Sequence, residues 1–397
     1  ARRTELEIAS NGTIYALAAE NPVIIIKSSD KFASDPTVIT LPSDGDTGIT
    51  ADDFTRGQSF YDLLIESDPS NSNAIFAGGI DLFKSTSGAQ KTDGSNPWNQ
   101  LSHWYGSFGS PFAHADQHGV AFGNVDSSKK VFGNDGGVYF SKTQTDGSEL
   151  ISSRNNNYIT SQFYTVGVAP SEMFKGLTKQ VSGKDLSTYQ NTTLTINGMA
   201  DVFLAGAQDN GTQLLANKNN SISRGHDVSG GDGAASMFSQ NLDKKYYITN
   251  YVYNQYVAAY DFGTGQEFVI NDENDSNGEF ITVQALDSKL GVLYSNYSTS
   301  GNFQIAAYYG WDDFLEADKN SKAPKNILTS SQMLANVSAL TVSPYATGTS
   351  TLMVGLENGS VFRVENANTN AAKWIDVSGN EFLGSVSDIE FGINENE

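Results

Sequence analysis

The stretch Phe60-Tyr61-Asp62-Leu63-Leu64-Ile65-Glu66, Asp68-Pro69-Ser70-Asn71, Ala74-Ile75-Phe76-Ala77-Gly78-Gly79, Asp81-Leu82-Phe83-Lys84-Ser85 decides the fold. It contains three apolar runs of strand length, parted first by a Pro-Ser-Asn turn and then by a glycine pair with an aspartate. Short apolar runs bounded by Gly, Pro, Asn and Asp are the pattern of strands joined by tight turns. The same plan recurs in His118-Gly119-Val120-Ala121-Phe122, then 130–137, then Val138-Tyr139-Phe140-Ser141. It recurs again in 163–170, 201–206 and 210–214, and in 337–342, 352–355 and 359–363. The opening segment, with Thr4–Ala9, Thr13–Leu17 and Val23–Ser28, is a further copy.

Units starting near 4, 60, 114, 162, 231, 279 and 336 follow one another at roughly fifty residues, the period of four-stranded propeller blades. An eighth opens near 385 with Val386-Ser387-Asp388-Ile389-Glu390-Phe391. Helical periodicity is nearly absent; Ser331–Asn336 offers one or two turns at most. The expected fold is all-β, one β-propeller domain over 1–397 made of four-stranded blades, seven units and the start of an eighth. Continuation into further domains of a larger protein is expected from the blade begun at the end. The polar segment within 171–200 reads as a surface insertion, a loop or an extra hairpin, and such insertions often carry binding.

The chain has 397 residues, a formal net charge of −21 and no cysteine. Absent cysteine excludes disulfides, zinc–thiolate sites, iron–sulfur clusters and thiol nucleophiles. The acidity opposes binding to nucleic acid phosphates or anionic headgroups, so neither is an expected partner. No stretch approaches the ~18 apolar residues of a membrane helix, and membrane insertion is not expected. With 22 Phe, 18 Tyr and 4 Trp, the chain has ample material for a core. Acidity, abundant small polar residues and absent cysteine fit a secreted or cell-surface bacterial protein, with a cytosolic acidic protein as the alternative.

Phe132-Gly133-Asn134-Asp135-Gly136-Gly137-Val138-Tyr139-Phe140-Ser141 resembles the blade signature of the BNR/Asp-box propellers, which include sortilin-like and xyloglucanase-like domains. The runs His114-Ala115-Asp116-Gln117-His118, Ala207–Gln213 and Gly230-Gly231-Asp232-Gly233-Ala234 are similar to a secreted group common in Bacteroidetes. That resemblance implies a propeller fold, export as cargo of the type IX system, and either glycosidase activity or none. The regular Asp-box turn is eroded here to Ser28-Ser29-Asp30, Ser85-Thr86-Ser87-Gly88 and Asp146-Gly147-Ser148. Trp98 and Trp374 fall where its closing tryptophan stands in two blades.

Candidate chemistry concentrates in few places. If extended, His114, Asp116 and His118 alternate onto one face, where two imidazoles and a carboxylate suit a metal, acid–base work, or bonds to a neighbouring blade. Gln117, Asn134, Gln208 and Asn210 accompany them as candidate ligand-binding amides. Asp116, Asp135, Asp209 and Asp232 are the candidate catalytic carboxylates, since a glycosidase needs two such groups about 5–10 Å apart. Their glycine-rich surroundings equally suit plain turns closed by Asx side chains. Asp272, Asn274 and Ser276 echo a calcium loop without its distant glutamate, and Asp44-Gly45-Asp46 is a weaker candidate of that kind. Calcium is thus the one cofactor the sequence suggests. Sialidase activity is not expected: it needs converging arginines, and Arg56, Arg154 and Arg224 each read as surface or turn residues. The tyrosines at 246, 247, 251, 253, 256 and 260, with Tyr308, Tyr309 and Trp311, divide between core packing and a sugar- or protein-binding surface.

Two function classes follow. One is a non-catalytic propeller acting as a binding or scaffold module, with polysaccharide or a surface protein as partner. The other is a glycoside hydrolase with paired carboxylates. No complete catalytic constellation is visible, which favours the first.

Overall fold

A computed structural model describes residues 3–50, 52–105, 109–156, 162–185, 190–198, 201–218, 221–222, 225–273, 277–317, 322–379 and 384–392. It is all-β, with no helix among the described residues, and consists of propeller blades in two compact units, 1–160 and 161–397. In the first unit, blade 1 holds Thr4–Ile8, Ile14–Ala18, Ile24–Ser28 and Thr37–Ile39. Blade 2 holds Leu64–Asp68, Asn71–Gly78, Leu82–Ser85 and Trp98–Gln100; blade 3 holds Gln117–Phe122, Lys129–Asn134, Gly137–Thr143 and Glu149–Ser153. Each is an antiparallel meander paired in chain order.

In the second unit, blades 5, 6 and 7 open with Ser236–Phe238, Gln284–Asp287 and Val337–Val342, and each is a four-stranded meander. Blade 4 departs from the plan. Thr165–Val168, Val202–Gly206, Thr212–Lys218 and His226–Ser229 pair in that order, and the hairpin Thr178–Asp185/Asn191–Asn197 then extends the sheet beyond His226–Ser229. The segment read as an insertion is therefore two added strands.

Strand alternation explains how the blades bury both faces. Successive side chains of a strand point oppositely. In blade 2, Ile65, Ile75, Ala77 and Phe83 join Leu17, Ile25 and other residues of blade 1 in one core, while Leu64, Phe76 and Leu82 join Phe132 and Tyr139 of blade 3 in another. Blade 6 repeats this, with Leu293, Ala306 and Tyr308 facing blade 5 and Tyr294, Ile305 and Ala307 facing blade 7. The core between blades 2 and 3 also holds a buried ion network. Glu149 accepts from Lys84 Nζ (2.7 Å), Lys130 Nζ (2.9 Å), Ser141 Oγ (2.6 Å) and Thr143 Oγ1 (2.7 Å). Both ammonium groups lie 5.3 Å from the Phe76 ring centroid.

Two of the turns compared above with Asp-boxes close themselves. Ser28 and Ser85 end the third strands of blades 1 and 2, and each hydroxyl accepts the amide four residues on, from Phe32 (2.7 Å) and Ala89 (3.0 Å). Trp98 and Trp374 both stand in the fourth strands of their blades. Residues 384–392 form no strand, yet Val386 N donates to Leu356 O (3.2 Å) and Ser338 Oγ donates to Val386 O (2.8 Å). A Cβ on Gly355 would lie 2.5 Å from Val386, as one on Gly78 would lie 2.7 Å from Gln117 at the start of blade 3. Val386 thus sits against blade 7 as the first strand of blade 3 sits against blade 2.

Candidate functional site

The sequence motif around 114–118 and the turn at 134–137 meet in the first unit. The extended conformation that would align His114, Asp116 and His118 breaks at Asp116, whose φ is +63°, so strand alternation begins only at Gln117. Asp116 N donates to Ile80 O (3.2 Å) and Gln117 N to Gly79 O (2.8 Å), which anchors blade 3 on the turn of blade 2. Gln117 is fully buried, and its amide donates to Ile80 O (3.2 Å) and His114 O (2.6 Å). Asn134 donates to Gln117 Oε1 (3.4 Å) and accepts Gly136 N (3.1 Å). Gln117 ties blade 3 to blade 2, and Asn134 braces Gln117 and its own turn within blade 3. The glycine pair has a steric cause: a Cβ on Gly136 would overlap His114, and one on Gly137, at φ +107°, would overlap Asn155.

Asp135 is engaged differently. His118 Nε2 donates to its Oδ1 (2.6 Å), and Tyr61 OH lies 3.0 and 2.9 Å from its two oxygens. The Tyr61 and His118 rings meet edge-on at 4.9 Å. Burial pushes the Asp135 carboxyl up, but the bonds from His118 and Tyr61 outweigh it and hold the group below the usual carboxylate range. The carboxylate oxygens of Asp116 and Asp135 lie within 4.8 Å of each other. Beside them stands Asp62, fully buried, with no hydrogen-bond partner for either side-chain oxygen among the described residues. Burial first, and the Asp116 charge second, push its carboxyl up to about 9.

A second polar cluster in this unit gathers the candidate pair Asp44 and Asp46. Arg56 donates to Asp44 Oδ2 (2.8 Å) and to Asp46. His103 Nε2 (2.7 Å) and Tyr105 OH (2.6 Å) donate to Asp46 Oδ1. Asp81 accepts from Gln100 Nε2 and Ser102 Oγ, each at 3.2 Å, and burial followed by the Asp44 charge pushes it up to about 8. Ligand atoms of Asp44, Asp81 and His103 lie within 4.8 Å of one another, and a guanidinium already neutralises this cluster. Arg154 bonds Ser152 Oγ and Ser153 O and covers the Phe140 ring. Arg224 lies outside the described residues.

In the second unit Gln208, Asp209, Asn210 and Asp232 meet in two laced turns. Asp232 Oδ1 accepts Asp209 N (3.0 Å), Gly211 N donates to Gly231 O (2.7 Å) and Gly233 N to Ala207 O (2.8 Å). Asn210 Nδ2 donates to Gln208 O (3.0 Å), and Tyr164 OH donates to Gln208 Oε1. Of the calcium-loop candidates, Asn274 and Ser276 lie outside the described residues, and Asp272 pairs with Lys322. Tyr246, Tyr247, Tyr308 and Trp311 are buried, whereas Tyr256 and Tyr309 reach the surface.

The added hairpin borders a cavity of about 530 Å³ lined by Ser182, Lys184, Thr192, Thr193, Asp227 and Ser229, among others. A neighbouring hollow of about 230 Å³ shares Val228–Gly230 and is walled by Thr249, Tyr251, Tyr256 and Glu267. His226 Nε2 donates to Val181 O (3.1 Å) and fixes the hairpin to blade 4. Burial pushes the Asp227 carboxyl up to about 6.

No family model and no curated protein sequence matches this chain. It is similar to solved propellers. Sqt1 from Chaetomium thermophilum superposes with a TM-score of 0.35 at 14% identity, over 83% of this chain and 75% of that one. Saccharomyces cerevisiae Sqt1 gives 0.33 at 12%, over 96% and 85%, and the RRP9 WD40 repeats give 0.35 at 11%, over 88% of each. At such values the blade plan rests on the sheets of this chain itself. Three participants escaped the sequence reading. Asp62 and Tyr61 stand within the stretch that decided the fold, where an acid set in an apolar run was the one available signal. His226 carried no local motif.

Proposed function

We propose that the chain is a non-catalytic binding module of an exported bacterial protein, and that it holds a neutral polysaccharide at the added hairpin of blade 4. The cavity of about 530 Å³ beside that hairpin carries this reading. Its volume falls within the range of ligand sites, about 300–1,000 Å³. Hydroxyls of Ser182, Thr192 and Thr193, one ammonium and one carboxyl match the donors and acceptors of a sugar, and Tyr251 and Tyr256 next to them offer ring faces. A chain of net charge −21 favours an uncharged ligand over an acidic one. Membership of the BNR/Asp-box propellers and surface location belong to the same proposal, supported by the self-closing turns at Ser28 and Ser85 and by absent cysteine.

The glycosidase reading has one observation in its favour: Asp62 and Asp135 are driven in opposite directions, as an acid and a base would be. Asp62 is fully buried, however, and a buried acid does not reach a glycosidic oxygen. Affinity electrophoresis of the full chain against neutral polysaccharides tests the proposal. Retardation, weakened about tenfold by Tyr256→Ala or Lys184→Ala with an unchanged melting temperature, is the expected result. Release of sugar that Asp135→Asn or Asp209→Asn abolishes, without loss of folding, would establish the hydrolase instead.

A further inference from the structure

We propose, building on the carbohydrate-binding reading of blade 4, that the ligand is a linear chain of neutral sugars held along two joined hollows. It runs from the hairpin cavity across Val228–Gly230 onto Tyr251 and Tyr256 of blade 5, and recognition therefore needs several consecutive sugars. Val228, Ser229 and Gly230 line both the hollow of about 530 Å³ beside the hairpin and that of about 230 Å³ beside the tyrosines. The two are neighbouring halves of one trough. Their chemistry differs. The hairpin half offers the hydroxyls of Ser182, Thr192 and Thr193 with Lys184, groups that exchange hydrogen bonds with sugar hydroxyls. The other half offers two phenol rings, whose faces suit the apolar side of a sugar ring. A sugar chain shows both kinds of surface again at every unit, and one molecule engages both halves by crossing the strip they share.

The aromatic half is fixed in place. Tyr251 and Tyr256 flank the turn between Tyr246–Asn250 and Val257–Asp261, and Tyr251 N donates to Tyr256 O (2.8 Å). Within that turn the buried Asn254 donates from Nδ2 to Asn296 O (2.7 Å) and accepts Ser295 Oγ (2.6 Å), which pins the turn to the second strand of blade 6, Val292–Asn296. Tyr256 OH donates to Glu267 Oε1 (2.7 Å). The Tyr251 ring lies over Gly231, where a Cβ would come within 2.8 Å of it, and its hydroxyl faces Asp232. Rings set before the ligand arrives lose little freedom on binding. Two modest contacts tied by one covalent chain then act as a linked pair, and such linkage raises affinity by about a hundredfold or more.

Glucans, mannans and xylans that retard the full chain in affinity electrophoresis are cut to oligomers of one to about six sugars, and each oligomer is titrated calorimetrically. Affinity is expected to rise at least about tenfold between two sugars and about five, then to level. Tyr256→Ala is expected to remove that rise and to leave the affinity for the shortest binding oligomer unchanged, whereas Lys184→Ala weakens every length. Glu267→Ala is expected to reduce the rise, and Glu267→Gln, whose amide oxygen still accepts from Tyr256, to restore it. Melting temperatures within about 2 °C of the wild type show that the variants fold. Affinity that is flat with length, or a rise that Tyr256→Ala leaves intact, overturns the trough while polysaccharide binding at the hairpin stands. Retardation by none of the polysaccharides overturns both.

Discussion

Two carboxylate clusters in the first unit draw on the same residue types and end differently. Around Asp44, Asp46 and Asp81, a guanidinium, an imidazole, a phenol, an amide and a hydroxyl supply donors to all three carboxylates. Around Asp62, Asp116 and Asp135, Tyr61 and His118 serve Asp135, and Asp62 is left with no donor among the described residues. The first cluster is closed upon itself and braces the fold. The second keeps Asp62 fully buried with its carboxyl pushed up to about 9. Clustered acids alone therefore say little; what differs is whether a cationic or polar donor answers each carboxylate or burial keeps it protonated.

The comparison can be broken most severely at Arg56. Arg56→Ala leaves Asp44 and Asp46 without their counter-charge, and we expect a loss of about 3 kcal/mol in denaturant unfolding. A loss below about 1 kcal/mol would show that the cluster was never closed by this side chain. Next in size is the pH response of Asp81. Its folded pKa is raised, so the folded state holds its proton more tightly, and the stability this confers is full below about 4 and disappears as pH rises through about 8. Stability followed from pH 5 to pH 8 should decline by a few kcal/mol less in Asp81→Asn than in the wild type. Parallel profiles would refute the burial-driven shift.

Asp227 is the milder counterpart beside the cavity. Its carboxyl is raised to about 6, so its contribution is present at acid pH and lost as pH passes 6. Asp227→Asn should flatten that part of the profile by about 2 kcal/mol and leave the range above pH 7 parallel to the wild type. Smallest is Tyr61→Phe. Removing one hydrogen bond from Asp135 should cost about 1 kcal/mol, read from chemical denaturation, and should not disturb the bond from His118.

Much of this was legible in the sequence, for reasons that differ by element. The blades were readable because alternation and turn residues are local: Ile75-Phe76-Ala77 shows its two faces in the text, and the structure sends them to two cores. Gly136 and Gly137 read correctly as turn formers. The pairing of the added hairpin with His226–Ser229 was not readable, since it joins residues some forty apart through two register pairs, Lys184 with Asp227 and Asp185 with His226. Asp62 was hidden because one acid in an apolar run looks like ordinary alternation; its burial arises only in the folded unit. The break at Asp116 was hidden too, since a left-handed aspartate leaves no mark in the order of residues.

The hairpin of blade 4 is not a mere appendage. Val181 and Ile196 are fully buried with Val202, Leu204 and Leu214 of the blade proper, while the ladder that joins hairpin to blade is two pairs long. The hairpin is thus held to the blade mainly by buried apolar contact and only briefly by backbone pairing. Its attachment therefore depends on side chains more than on the shared ladder, and truncating Val181 or Ile196 would loosen it more than breaking the two pairs would.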